Sequence, residues 1–124
     1  MIKIMLFLKK KPGMSPQDFM DYYEKHHAPL SVRHIPGLLE YKRSFINRGA
    51  APFGREPQDV DFDVVTELVF ATEADYERAI ETIKDPEIGK LFAEDEKQLF
   101  DRMDLQRRFF VTECRSTIGG AHQG

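Results

Sequence analysis

The chain has a single cysteine, Cys114, and no tryptophan. One thiol cannot close an internal disulfide or build a multi-thiolate metal site, which fits a reducing compartment. The longest apolar run, Ile4 to Leu8, falls far short of the roughly 20 residues that cross a bilayer, and no hydrophobic leader follows Met1. No membrane partner is expected, and the expected location is cytoplasmic. Gly13 and Gly37 are isolated, so no glycine-rich loop cradles a nucleotide, and no Gly-x-Ser-x-Gly turn presents a nucleophile. The 18 basic residues stand against 21 acidic ones, without the clustered basic surface that phosphate backbones require. Nucleic acid is not an expected partner, and Lys9, Lys10 and Lys11 read as the solvated end of a strand. His26 and His27 are adjacent, point about 100° apart on a helix, and belong to no i, i+4 histidine pair. That pattern gives no metal site, and no cofactor is expected.

What is present is an alternation of strand and helix signals over 124 residues, a length that buries a single core without staples. Ile2 to Lys9 alternates as a strand with apolar residues on both faces. Pro12-Gly13 breaks it, and Ser15-Pro16 supplies an N-cap followed by proline at the first helical position. Phe19, Tyr22, Tyr23, His26 and Leu30 then follow the i, i+3, i+4, i+7, i+11 stripe of a helix lying on a sheet, with Pro29 and Pro36 marking its end. Leu38 to Arg48 reads as a long strand. Gly49 to Asp61 is a loop long enough to serve as a lid. Asp63 to Phe70 is the third strand, and Thr72 with Asp75 caps a helix carrying Tyr76, Ala79, Ile80 and Ile83. Asp85-Pro86 restarts a helix bearing Ile88, Leu91, Phe92 and Leu99, and Leu105 to Cys114 is the fourth strand. The order is the α+β, ferredoxin-like βαββαβ pattern, with a four-stranded antiparallel sheet and helices on one face. The domain is expected over residues 1–115, followed by a flexible polar tail, 116–124.

An antiparallel sheet with helices on one side normally shows polar residues on the other. Met5, Phe7 and either Phe109 or Phe110 break that rule. The economical cover is a second copy of the same sheet, so a homodimer through this face, a dimeric α/β barrel, is expected.

Two groups point to chemistry. His26 lies by phase in the apolar stripe, as a hydrogen-bonded core histidine would, and His27 lies at its edge. On the last helix, with Ile88 as origin, Asp95 falls near the centre of the stripe marked by Leu91, Phe92 and Leu99. A carboxylate aimed at the sheet must be paired, hydrogen-bonded or exposed to a cavity. Histidine and carboxylate together suit proton transfer, and they equally suit a structural pair. A simple charged face accounts for Glu94 and Glu96 but not for Asp95.

The run Lys10-Lys11-Pro12-Gly13-Met14-Ser15-Pro16-Gln17-Asp18-Phe19, then Tyr22-Tyr23 and His27-Ala28-Pro29-Leu30, resembles the opening of an EthD domain. The resemblance continues through Phe62-Asp63, Glu67-Leu68-Val69-Phe70, Phe92-Ala93-Glu94-Asp95-Glu96 and Phe100-Asp101. Tyr23 stands where the family often has tryptophan, and Val64 where a small residue is usual. The resemblance implies a dimeric α/β barrel and places the family's His-x-Pro histidine at His27. It also implies the company of degradation oxygenases and aromatic polyketide pathways, with dehydratases, decarboxylases, cofactor-free oxygenases and loosely labelled oxidoreductases among relatives. The expected function is a cofactor-independent enzyme acting by proton transfer on a hydrophobic aromatic or carbonyl compound. His27 would be the acid or base and Asp95 its partner, with Tyr23, Tyr41 and Asp63 around the substrate. The competing expectation is a non-catalytic protein that carries a hydrophobic metabolite for a partner oxygenase.

Overall fold

The computed structural model describes residues 1–119, and the final part of the expected tail, 120–124, lies outside the described residues. Four strands, β1 (Ile2–Leu8), β2 (Leu38–Phe45), β3 (Val64–Phe70) and β4 (Arg107–Val111), form one antiparallel sheet in the order β2-β3-β1-β4. Between β1 and β2 run α1 (Pro16–Tyr22), a π-helical turn (Tyr23–His27) and α2 (Ala28–His34). Between β3 and β4 run α3 (Glu73–Lys84) and α4 (Pro86–Leu99). This is the ferredoxin-like α+β arrangement.

The helices α1, α3 and α4 each start where a side chain replaces a missing backbone partner. Ser15 Oγ accepts from Asp18 N at 3.0 Å, Thr72 Oγ1 from Asp75 N at 3.1 Å, and Asp85 from both Glu87 N and Ile88 N at 3.1 Å. The apolar faces then close on the sheet. Leu8, Phe19, Tyr23, Ala28, Val64, Leu99 and Phe100 form one buried cluster at the β1–β3 end.

The first helical passage departs from the sequence expectation. Pro29 does not end it, because the helix continues to His34. A proline inside an α-helix lacks its donor and clashes with the carbonyl four residues back. The π turn relieves that crowding, with the Ala28 N–H reaching back to Tyr23 O, five residues away. The wider turn also changes which residues face inward. Phe19, Tyr23, His27 and Ser31 are all buried, although spacings of four drift by about 40° per step on a regular α-helix. One extra residue in the turn cancels most of that drift. His27 is buried as a result and His26 is exposed, which corrects the stripe position read for His26.

Strand register separates the two faces of the sheet. Ile4 lies opposite Leu68 and Phe110, and Leu6 opposite Thr66 and Arg108, all on the helix side. Met5, Phe7, Val65, Arg107 and Phe109 share the other face. There Phe7 packs edge-on to Phe62 and Phe109, with ring centroids 5.1 and 5.8 Å apart. Phe110 instead meets Tyr76 of α3, 5.4 Å away. Of the two aromatics proposed for the outer face, Phe109 therefore lies there and Phe110 does not.

The lysine run does more than end a strand. Lys9 N donates to the buried Gln106 side chain at 2.6 Å, Lys10 N to Asp63 at 2.8 Å, and Lys11 N to Leu99 O at 2.8 Å. These bonds tie the end of β1 to the exits of α4 and the approach to β3.

Candidate active site

Between the helices and the sheet lies a cavity of about 490 Å³. Its apolar walls come from Ile4, Leu6 and Leu68 of the sheet, Ile80 and Ile83 of α3 and Phe92 of α4. The polar groups are few. His27 projects from the end of the π turn, Ser31 from α2, Tyr41 from β2, Thr66 from β3, Glu96 from α4 and Arg108 from β4.

His27 Nδ1 lies 2.6 Å from Asp95 Oδ2, and both side chains are 9% exposed. The other Asp95 oxygen accepts from the Tyr22 hydroxyl at 3.0 Å. Burial and the neighbouring carboxylate push the Tyr22 phenol up to about 12, so it stays a donor. In the tautomer that donates Nδ1–H to Asp95, the lone pair of His27 Nε2 is left for whatever occupies the cavity. Phe100 and Tyr23 pack edge-on against the imidazole, with centroids at 5.2 and 4.8 Å, and fix its plane.

A chain of hydroxyls also lines the cavity. Tyr23 Oη and Thr66 Oγ1 are 2.6 Å apart. Tyr41 Oη approaches both Tyr23 Oη and Ser31 Oγ at 3.4 Å. Those last two contacts are long, so the Tyr41 proton is the least committed in the chain. Burial raises the pKa of both Tyr23 and Tyr41, which keeps them as neutral donors. Arg43 stacks 5.0 Å over the Tyr41 ring and is itself held by Glu24, so the phenol is positioned from outside the cavity.

A histidine oriented by a carboxylate, a weakly bonded phenol and an apolar cavity together form a site that can move a proton on a weakly polar molecule. Residues 11–103 match the EthD domain. The chain belongs to the EthD family.

Solved structures agree on the fold. An EthD family protein of Bacillus halodurans is 24% identical over 92% of this chain and 100% of its own, with a TM-score of 0.60. SnoaB, a cofactor-independent oxygenase of Streptomyces nogalater, is 16% identical over 93% and 94%, with a TM-score of 0.54. A dimeric ferredoxin-like protein of unknown function from Jannaschia is 12% identical over 90% and 98%, with a TM-score of 0.55. No functionally curated protein matches the chain in sequence.

Of the residues singled out in the sequence, the structure of this EthD protein brings His27, Asp95, Tyr23 and Tyr41 together and leaves Asp63 apart. Asp63 accepts from Lys10 N and from Arg48, beside a small separate cleft between α1 and β2. It holds the chain at the start of β3 and does not line the cavity. The loop expected as a lid is remote too, since no residue of 49–61 lines the cavity. Arg48 fastens that loop through Asp59, Val60 O and Phe62 O.

Sequence reading missed Ser31, Thr66, Glu96 and Arg108. Leu91 is 43% exposed, so the inward arc of α4 is turned away from it, towards Phe92, Glu96 and Gly89. The isolated Gly89, which lines the cavity, was the available signal for that rotation. Glu96 is half-buried, and desolvation raises its carboxyl pKa despite the nearby His27 and Arg108. Among the described residues, no group of three or more histidine, cysteine, aspartate or glutamate side chains is arranged to hold a metal ion. Among the described residues, no helix is long and apolar enough to cross a membrane.

Proposed function

We propose that this protein is a cofactor-independent enzyme that transfers a proton on a hydrophobic aromatic or carbonyl compound, and that it works as a homodimer. The observation that carries the reading is the Asp95-held His27, buried beside an apolar cavity that the weakly bonded Tyr41 phenol also lines. The bound carbonyl oxygen accepts from Tyr41 Oη. His27 Nε2 takes a proton from the adjacent carbon, and the C–H electron pair moves into a carbon–carbon double bond, leaving an enolate on the oxygen. The phenol stabilises that charge among apolar walls, and Asp95 stabilises the imidazolium. Return of the proton to a different carbon gives an isomerisation. Its delivery to a departing hydroxyl gives a dehydration, and protonation of the carbanion left by loss of carbon dioxide gives a decarboxylation.

Membership of the EthD family and likeness to a cofactor-independent oxygenase support a small-molecule role. The aromatic cluster at Phe7, Phe62 and Phe109 on the helix-free face supports sheet-to-sheet pairing, as does likeness to a dimeric ferredoxin-like protein.

The test is a set of aryl and alkyl ketones incubated with the protein in deuterium oxide and followed by proton NMR. We expect deuterium to enter the carbon next to the carbonyl in at least one of them, and His27→Gln to abolish it. Ligand binding without exchange in the wild-type protein would replace this reading with that of a carrier for a neighbouring oxygenase.

A further inference from the structure

Burial gives the cavity a direction. Tyr23, His27, Ser31 and Thr66 line it and are buried, whereas Met103, Arg108 and Phe110 line it and are exposed. The chemistry described above therefore lies at the closed end, and β4 borders the open end.

Two adjacent arginines on β4 differ in what they hold. Arg107, on the outer face, binds Asp61 at 2.6 Å and lies over the Phe7 and Phe62 rings. Arg108, on the cavity face opposite Leu6, has no ion pair or hydrogen bond among the described residues. Arg43, Arg48, Arg78, Arg102, Arg107 and Arg115 each hold a carboxylate, and Arg33 and Arg55, which hold none among the described residues, do not line the cavity. The nearby cavity carboxyl of Glu96 is not within ion-pairing distance of Arg108 and has a raised pKa through burial, so it does not satisfy the guanidinium.

We propose that Arg108 binds an anionic oxygen group, a carboxylate or a phosphate, carried on the end of the substrate that lies away from its reacting carbon. The proposal rests on the proton-transfer reading of the closed end and adds the substrate class: a hydrophobic compound with a reactive group at one end and an anion at the other. A guanidinium with its donors unspent matches the two oxygens of such a group by parallel hydrogen bonds. The apolar stretch between Phe92, Ile80 and Leu6 receives the intervening carbon skeleton. Glu96 flanks this path, and its negative charge, when present, opposes the incoming anion.

Isothermal titration of the full chain with 4-phenylbutyrate, its primary amide and 3-phenylpropyl phosphate tests this directly. We expect at least one anion to bind about tenfold more tightly than the amide, and the tighter of the two anions identifies the group. Arg108→Gln should remove the preference by weakening the anions more than the amide, Arg108→Lys should keep part of it, and Glu96→Gln should strengthen anion binding. Lys90→Gln, an exposed charge change on α4, should have no effect. Circular dichroism on each variant separates lost binding from lost fold. Equal affinity of the wild-type protein for anions and amide, binding of none of the three, or a preference that survives Arg108→Gln would overturn the proposal. The titration needs no turnover, so failure of proton transfer in the deuterium-exchange assay and failure of anion recognition are read separately.

Discussion

At the scale of single residues the site depends on three side chains whose roles separate by substitution. Asp95→Asn keeps volume and a hydrogen-bond acceptor for Tyr22 while removing the charge opposite the imidazole. Exchange activity should fall by about 10²-fold with the fold intact, as activity and circular dichroism would show. Tyr23→Phe leaves Thr66 Oγ1 buried without its 2.6 Å partner, and should lower unfolding free energy by about 1–2 kcal/mol in urea titration. Glu96 gives a pH effect of definite sign. Its folded-state carboxyl pKa lies above the ordinary glutamate value because of burial, so ionising it costs stability as pH rises beyond the ordinary glutamate range. Thermal scans should therefore find Glu96→Gln more stable than wild type at about pH 7, with the gap closing towards about pH 4.

At the scale of elements the sheet and helices follow from local signals, and the departures have physical causes. Ser15-Pro16, Thr72 with Asp75, and Asp85-Pro86 each announced a helix start because an oxygen side chain before a run of free N–H groups has few other uses. Period-2 alternation did the same for β1. The π turn was not legible, because a one-residue insertion leaves the composition of the stripe unchanged and shifts only its phase, from His26 to His27. Asp95 could be placed by phase, since it lies between Phe92 and Leu99 on one continuous helix. Glu96 could not, because the arc was centred with Leu91 included. Asp63 and the loop 49–61 sit next to the third strand in sequence, yet nothing in a sequence states which end of a strand faces the cavity. Arg48→Ala tests the loop's independence. It removes the clasp on Asp59, Val60 and Phe62, so limited proteolysis within 49–61 should accelerate while exchange activity stays near the wild-type rate.

At the scale of the whole molecule the sheet presents different chemistry on its two faces. The helix side encloses the cavity, and the outer side carries Phe7, Phe62 and Phe109 beneath Arg107. A second sheet laid on this surface would remove the aromatic rings from water, a gain of about 25 cal/mol for each Å² of apolar area covered. Sedimentation at micromolar concentration should give a dimer, and Phe7→Glu, which puts a charge in the middle of the cluster, should give a folded monomer. Because the cavity lies on the helix side of the sheet, opposite the Phe7 cluster, that monomer should still bind hydrophobic ligands.

The account turns on His27 presenting an unprotonated Nε2 to the cavity while Asp95 holds Nδ1–H. Long-range proton–nitrogen correlation on protein labelled at the histidine ring nitrogens reads this directly, with His27→Gln assigning the signals. The account predicts that in the neutral ring Nδ1 carries the proton and Nε2 shows the shift of a bare nitrogen, which moves when a carbonyl ligand fills the cavity. A proton resident on Nε2, with Nδ1 unprotonated beside Asp95, would contradict it.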